Sequence, residues 1–131
     1  MTFTAVVASS AVNFNEQELV AEMVAQVLEA KGVKVTRKFK LGAREVVAPA
    51  LEKGDIDAYV EYVGSYLTFL KGTPSGDLEA SLKDLQAKLA PLGLVALKPS
   101  PAEDKNAFVV TKETADKYNL AKISDLANPA P

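Results

Sequence analysis

The chain has 131 residues, 48% of them hydrophobic and 24% charged, with a formal net charge of -2. That composition fits one globular domain with a core, and the scattered lysines form no basic stripe, which argues against a nucleic-acid surface. Cysteine and histidine are both absent, which removes disulfides, thiol nucleophiles, imidazole bases and the commonest zinc sites.

Small molecules or proteins are the expected partners. No apolar run approaches the roughly 20 residues of a membrane-spanning helix, and the opening MTFTAVVASS lacks a basic region followed by an apolar stretch, so no export signal is expected in the chain as it stands.

FTAVVAS, Phe3 to Ser9, is short, apolar and rich in β-branched residues, as a central strand would be. Asn15 then stands where it can cap a helix with Glu18 at its third position. Leu19, Val20, Met23, Val24, Val27 and Leu28 recur on what reads as its inward face until Gly32. VKVTRKFK, Val33 to Lys40, alternates like a strand near a sheet edge. LGAREVVAPALEKG restarts a helix with Val46, Val47, Ala50 and Leu51 inward, and Pro49 inside it predicts a kink or a shortened helix. IDAYVEY reads as a third strand. The order β-α-β-α-β predicts an α/β fold with an open, mostly parallel sheet flanked by helices.

Beyond GTPSG, Asp77 caps an amphipathic helix with Leu78, Leu82, Leu85 and Leu89 inward. LVALK and NAFVVTK read as further strands on either side of the linker-like PSPAEDK, ETADKYN as a short helix, and Ser124 as the cap of another helix. Ligands of parallel sheets collect at the carboxyl ends of strands, where Ser9, Ser10, Gly42, Tyr62, Gly64 and Ser65 fall.

Five motifs in order, Phe14 to Gln17, Leu28 to Val35, Leu41 to Ala43, Ala50 to Asp57 and Tyr59 to Ser65, resemble the N-terminal lobe of the substrate-binding proteins of ABC transporters for glycine betaine, choline and carnitine. Glu113 to Leu126 is similar to the segment following their crossing into a second lobe. The resemblance implies one lobe of a two-lobed periplasmic-binding-protein-like fold. Residues 1–102 would form the ligand-binding lobe, and 103–131 the crossing segment and the truncated start of the second. It further implies a periplasmic or externally membrane-anchored protein, a small osmolyte as ligand, an ABC permease as partner of the full-length parent, and neither cofactor nor metal. A chain of this length would be an excised lobe or a short natural variant.

A quaternary ammonium cannot donate a hydrogen bond, so ring faces must hold it, each worth roughly 0.5 to 2 kcal/mol. By the resemblance, Tyr62 belongs to such a cage and Ser65 helps hold the ligand carboxylate; alternatively, Tyr59 and Tyr62 only pack at the sheet end. Relatives often carry a lysine where this chain has Val12, and Arg44 at the start of the second helix would replace that charge or else be a solvated surface residue. Gln17 faces the cleft or the surface. Asp104 matches an acidic residue used near the cation, and Asn106 falls where a cage tyrosine is frequent.

A carboxylate pair such as Glu61 with Asp57 could suggest acid-base chemistry, but no convergent nucleophile or metal set accompanies it, so an enzyme is not expected. The competing readings are the ligand-sensing domain of a transcription regulator, which would need a DNA-binding helix pair, and a scaffold lobe without ligand. A cut lobe would expose apolar surface, so homodimer formation or strand exchange is a further expectation.

Overall fold

Strand β1 (Thr4–Ser9) pairs in parallel with β2 (Lys34–Lys38) on one side and with β3 (Ala58–Val60) on the other, giving the order β2-β1-β3. The register sets Val6 beside Thr36 and Val7 beside Ala58. The open parallel sheet expected from the strand-helix alternation is therefore present, with β1 central and β2 at an edge. The structure, a computed structural model, describes residues 4–9, 15–104 and 107–127, which divide into two units, Met1–Pro99 and Ser100–Pro131.

Helix α1 (Asn15–Ala30) lies against all three strands. It ends where expected, with Gly32 at φ +81° and the Val33 N–H returning to Leu28 O, a closure that a left-handed glycine makes inexpensive. Its inward face differs from the expected one. Gln17, Ala21 and Ala25 are buried, whereas Leu19, Val20, Met23, Val24 and Val27 are exposed. The helix is apolar over a wide arc, so periodicity alone does not fix its roll. Arg37 of β2 grips Glu22 and Glu29, seven residues apart and on one side of α1, while the alanine face lies against the sheet.

Helix α2 (Arg44–Glu52) is shorter than the pattern from which it was read and contains Pro49. Val47 and Ala48 are its buried residues, while Val46, expected inward, is 56% exposed. Gly54, at φ +76°, terminates it as Gly32 does α1. Val47 and Ile56 form one buried cluster with Leu41, Ala50, Leu51 and Tyr59 around it.

The third strand is only Ala58–Val60, because the chain turns at once into α3 (Val63–Phe69). Tyr62 is the N-cap of that helix, so strand alternation does not govern its direction. Helix α4 (Leu78–Leu89) packs on α3, and Tyr66, Leu67, Leu85 and Leu89 close a second cluster with Ala48. Its cap is the expected one, Asp77, whose side chain accepts from the Glu79 N–H at 2.9 Å.

LVALK is not a strand. Leu94 and Ala96 pack on the second cluster and Val95 and Leu97 face outward, so the alternation is present but the segment lies outside the sheet. In the second unit, residues 107–111 of the expected NAFVVTK strand are also outside any strand, and α5 (Lys112–Tyr118) follows, capped by Thr111. Ser124 caps no further helix. It sits inside a 3-10 turn over Ile123–Ala127, and Asp125 accepts from the N–H groups of Ala121 and Lys122. Among the described residues no helix is long and apolar enough to cross a membrane.

Candidate functional site

Parallel strands point their carboxyl ends the same way, so the ends of β1, β2 and β3 share one rim of the sheet. Glu16 stands in the first turn of α1, Arg44 opens α2, and Glu61 and Tyr62 link β3 to α3. These four residues form a hydrogen-bonded chain along that rim, in which Glu61 and Tyr62 are joined through the Tyr62 backbone N–H.

Glu61 is its centre. Arg44 donates through Nε to Oε2 at 2.6 Å and through Nη2 to Oε1 at 2.9 Å, a two-point fork that matches guanidinium to carboxylate. The Tyr59 hydroxyl donates to Oε2 at 2.6 Å, and the Tyr62 backbone N–H donates to Oε1 at 2.7 Å. The Glu61 side chain is only 8% exposed, and four donors from three elements compensate the cost of burying its charge. Hydrogen bonding to Glu61 raises the basicity of the already strongly basic Arg44 guanidinium. By accepting the Tyr62 N–H, one of the donors left unpaired at a helix start, Glu61 also explains why an apolar sequence turns from strand to helix at this point.

Tyr62 is half-buried, and its hydroxyl donates to Glu16 Oε1 at 2.7 Å, tying the start of α3 to the start of α1. Behind it, the Tyr59 and Tyr66 rings meet edge to face with centroids 6.2 Å apart, and Tyr66 stacks on Phe69 at 5.9 Å. The Tyr66 hydroxyl is buried without a hydrogen-bond partner. Burial, and then the nearby Glu52 and Glu61 carboxylates, push its pKa up.

The structure thus gathers three of the expected residues on the rim. Tyr62 and Arg44 are joined through Glu61, and Gln17, 3% exposed, follows Glu16 on the buried face of α1 and is not a surface residue. The Arg44 fork is directed at Glu61, so the residue is not a freely solvated surface arginine. Ser65 is exposed in the first turn of α3. Asp104 is exposed in the second unit, and Asn106 and Val12 lie outside the described residues.

Glu61 and Glu16 were not anticipated in these roles. An acidic residue directly after a buried strand, with an arginine at the preceding helix start, was the available signal for the first; Glu16 left none, since its contact spans 46 positions. Among the described residues there is no group of three or more potential metal ligands. The rim offers instead an aromatic face with a carboxylate at its edge, an arrangement suited to holding a cation.

Residues 5–131 match the family model for the substrate-binding domain of the ABC-type glycine betaine transport system. The chain is 32% identical over 120 residues to the glycine betaine-binding protein YehZ of Escherichia coli (strain K12), covering 86% of this chain and 38% of that protein. It is 31% identical to a glycine-betaine-binding protein of Pseudomonas aeruginosa, over 87% of this chain and 37% of that one. It is 30% identical to the ergothioneine transport permease/ergothioneine binding protein EgtU of Helicobacter pylori (strain G27), over 86% and 21%.

A crystal structure of a glycine betaine/carnitine/choline ABC transporter superposes with a TM-score of 0.65 at 25% identity, covering 96% of this chain and 47% of the other. The chain therefore spans less than two fifths of the length of these sequence relatives and about half of that solved structure. Its fold is one lobe of the periplasmic-binding-protein type, and the chain belongs to the family of substrate-binding domains of ABC-type glycine betaine transport systems.

Proposed function

We propose that this chain is the ligand-binding lobe that first captures a small quaternary-ammonium osmolyte, glycine betaine, choline or carnitine, for uptake through an ABC permease. In this reading residues 1–102 are the first lobe and 103–131 the crossing segment and start of the second, acting in the periplasm or anchored outside the membrane. The observation that carries the proposal is the placement of Tyr62: at the carboxyl rim of a parallel sheet, half-buried, and held at its backbone by Glu61 and at its hydroxyl by Glu16. A ring fixed at both ends is preorganised to meet a cation with its face. Ser65, three residues on and exposed, presents a hydroxyl toward which the polar end of the ligand can turn.

The names of the relatives support the same chemistry. Glycine betaine, carnitine, choline and ergothioneine share a trimethylammonium group and differ in what it is attached to, so the common requirement is the cation site. One lobe supplies only part of a cage that closure over the ligand would complete and desolvate, so the chain by itself should bind with an affinity of about 1 mM or weaker.

The test is an NMR titration of the chain with glycine betaine, choline and carnitine up to tens of millimolar. Shifts centred on Tyr62 are expected, lost in Tyr62→Leu, which keeps apolar bulk without the ring face. Shifts centred elsewhere, or unchanged by that variant, would overturn the assignment.

A further inference from the structure

The charges along the rim add up unequally. Arg44 and Glu61 neutralise each other through their fork, and Lys40 lies 3.7 Å from Glu18. The connection between β1 and α1, residues 10–14, has no charged side chain in its sequence, Ser-Ala-Val-Asn-Phe. That leaves Glu16. Its carboxylate accepts from the Tyr62 hydroxyl, a neutral donor, and among the described residues no lysine or arginine pairs with it.

We propose that Glu16 makes this lobe discriminate by net ligand charge, favouring quaternary ammonium ligands that are cations overall, such as choline, over zwitterions such as glycine betaine. The inference rests on the proposed docking of the ammonium on Tyr62. A carboxylate hydrogen-bonded to the hydroxyl of that ring stands about one ring-length from a cation lying on its face, within the range where unit charges interact appreciably and are incompletely screened.

For choline this is attraction alone. In glycine betaine the ligand's own carboxylate is one carbon from the nitrogen, so attraction to the ammonium is largely cancelled by repulsion of the carboxylate. The residue best placed by sequence to welcome that carboxylate, Arg44, has two of its donor nitrogens committed to Glu61. Ser65 does not restore a preference for zwitterions, because a hydroxyl serves a ligand carboxylate as donor and a choline hydroxyl as donor or acceptor equally well.

The experiment is a set of NMR titrations of the whole chain at low salt with choline, glycine betaine and 3,3-dimethylbutan-1-ol, an uncharged isostere of choline. The wild type is compared with Glu16→Gln, Glu16→Asp and Tyr62→Leu. Choline should bind about fivefold more tightly than glycine betaine, and Glu16→Gln should bring the two within about twofold, because glutamine still accepts from Tyr62 but carries no charge. Glu16→Asp should retain part of the preference, added salt should erode it, and the isostere's affinity should not respond to either change, which separates a charge effect from a structural one.

A choline-to-betaine ratio unchanged by Glu16→Gln, or a wild type that prefers betaine, overturns this inference while leaving the Tyr62 site standing, provided Tyr62→Leu still abolishes binding. Absence of any shift near Tyr62 with either ammonium ligand overturns both readings.

Discussion

Two arginines in this chain hold carboxylates with almost the same geometry in different surroundings. Arg37 reaches from β2 to Glu22 at 2.6 Å and Glu29 at 2.7 Å, both on α1; Arg44 reaches from α2 to Glu61 at 2.6 and 2.9 Å. The partners of Arg37 are 33% and 41% exposed at the side chain, and each is replaceable by water. Glu61 is 8% exposed and also serves Tyr59 and the Tyr62 backbone. Distance therefore says little about worth. What distinguishes the two forks is how much would be left buried and unpaired if one member were removed.

The largest expected effect follows from that difference. Glu61→Ala removes the shared acceptor of a guanidinium, a tyrosine hydroxyl and a helix-initiating N–H, and should cost about 3 kcal/mol in urea unfolding, with Tyr62 displaced from the rim. Arg37→Gln, which removes two forks of similar length, to Glu22 and to Glu29, should shift the urea midpoint far less. Equal midpoint shifts for the two variants would break the comparison.

A smaller effect sharpens it within a single pair of rings. The hydroxyls of Tyr59 and Tyr66 sit on rings in edge contact, but the first has Glu61 and the second, buried, has no partner. Tyr59→Phe should cost about 1 kcal/mol, whereas Tyr66→Phe should be neutral or stabilising by up to about 1 kcal/mol, because it removes a buried donor that makes no bond. Thermal unfolding of the two variants decides this, and a clear loss of stability in Tyr66→Phe would show that its hydroxyl is hydrogen-bonded in solution.

The outline of the fold was legible because it rests on local signals. Gly32 and Gly54 close helices, Asp77 caps one, and alternating strand and helix patterns dictate a parallel sheet. The errors fall where a nonlocal contact decides. The third strand was read through Tyr62 and no helix was read after it, since VEYVGSYL has the composition of either element and the Tyr62 N–H is taken by Glu61, itself gripped by Arg44. The wide apolar arc of α1 leaves its roll open, and LVALK has strand composition yet lies outside the sheet. On the rim, the position of Tyr62 at a strand's carboxyl end was expected and its bond to Glu16 was not, because no spacing rule links residues 46 positions apart.

The smallest expected effect concerns Arg37, and its sign is set by the carboxylates. The guanidinium holds Glu22 down to about 2 from 4.5, first through its hydrogen bond, and lowers Glu29 in the same way. A carboxyl group whose pKa is depressed in the folded state contributes stability above its ordinary value and loses it as pH falls through the depressed one. The difference in unfolding free energy between wild type and Arg37→Gln should thus be constant near neutral pH, begin to shrink near 4.5, and vanish toward 2. At neutral pH it should also shrink with added salt, since the fork is exposed. Urea titrations from neutral pH down to about 4 would already show the onset of the decline. A difference flat across that range would mean that Arg37 acts through packing of its aliphatic stem, and the exposed fork would then contribute nothing measurable through its charge.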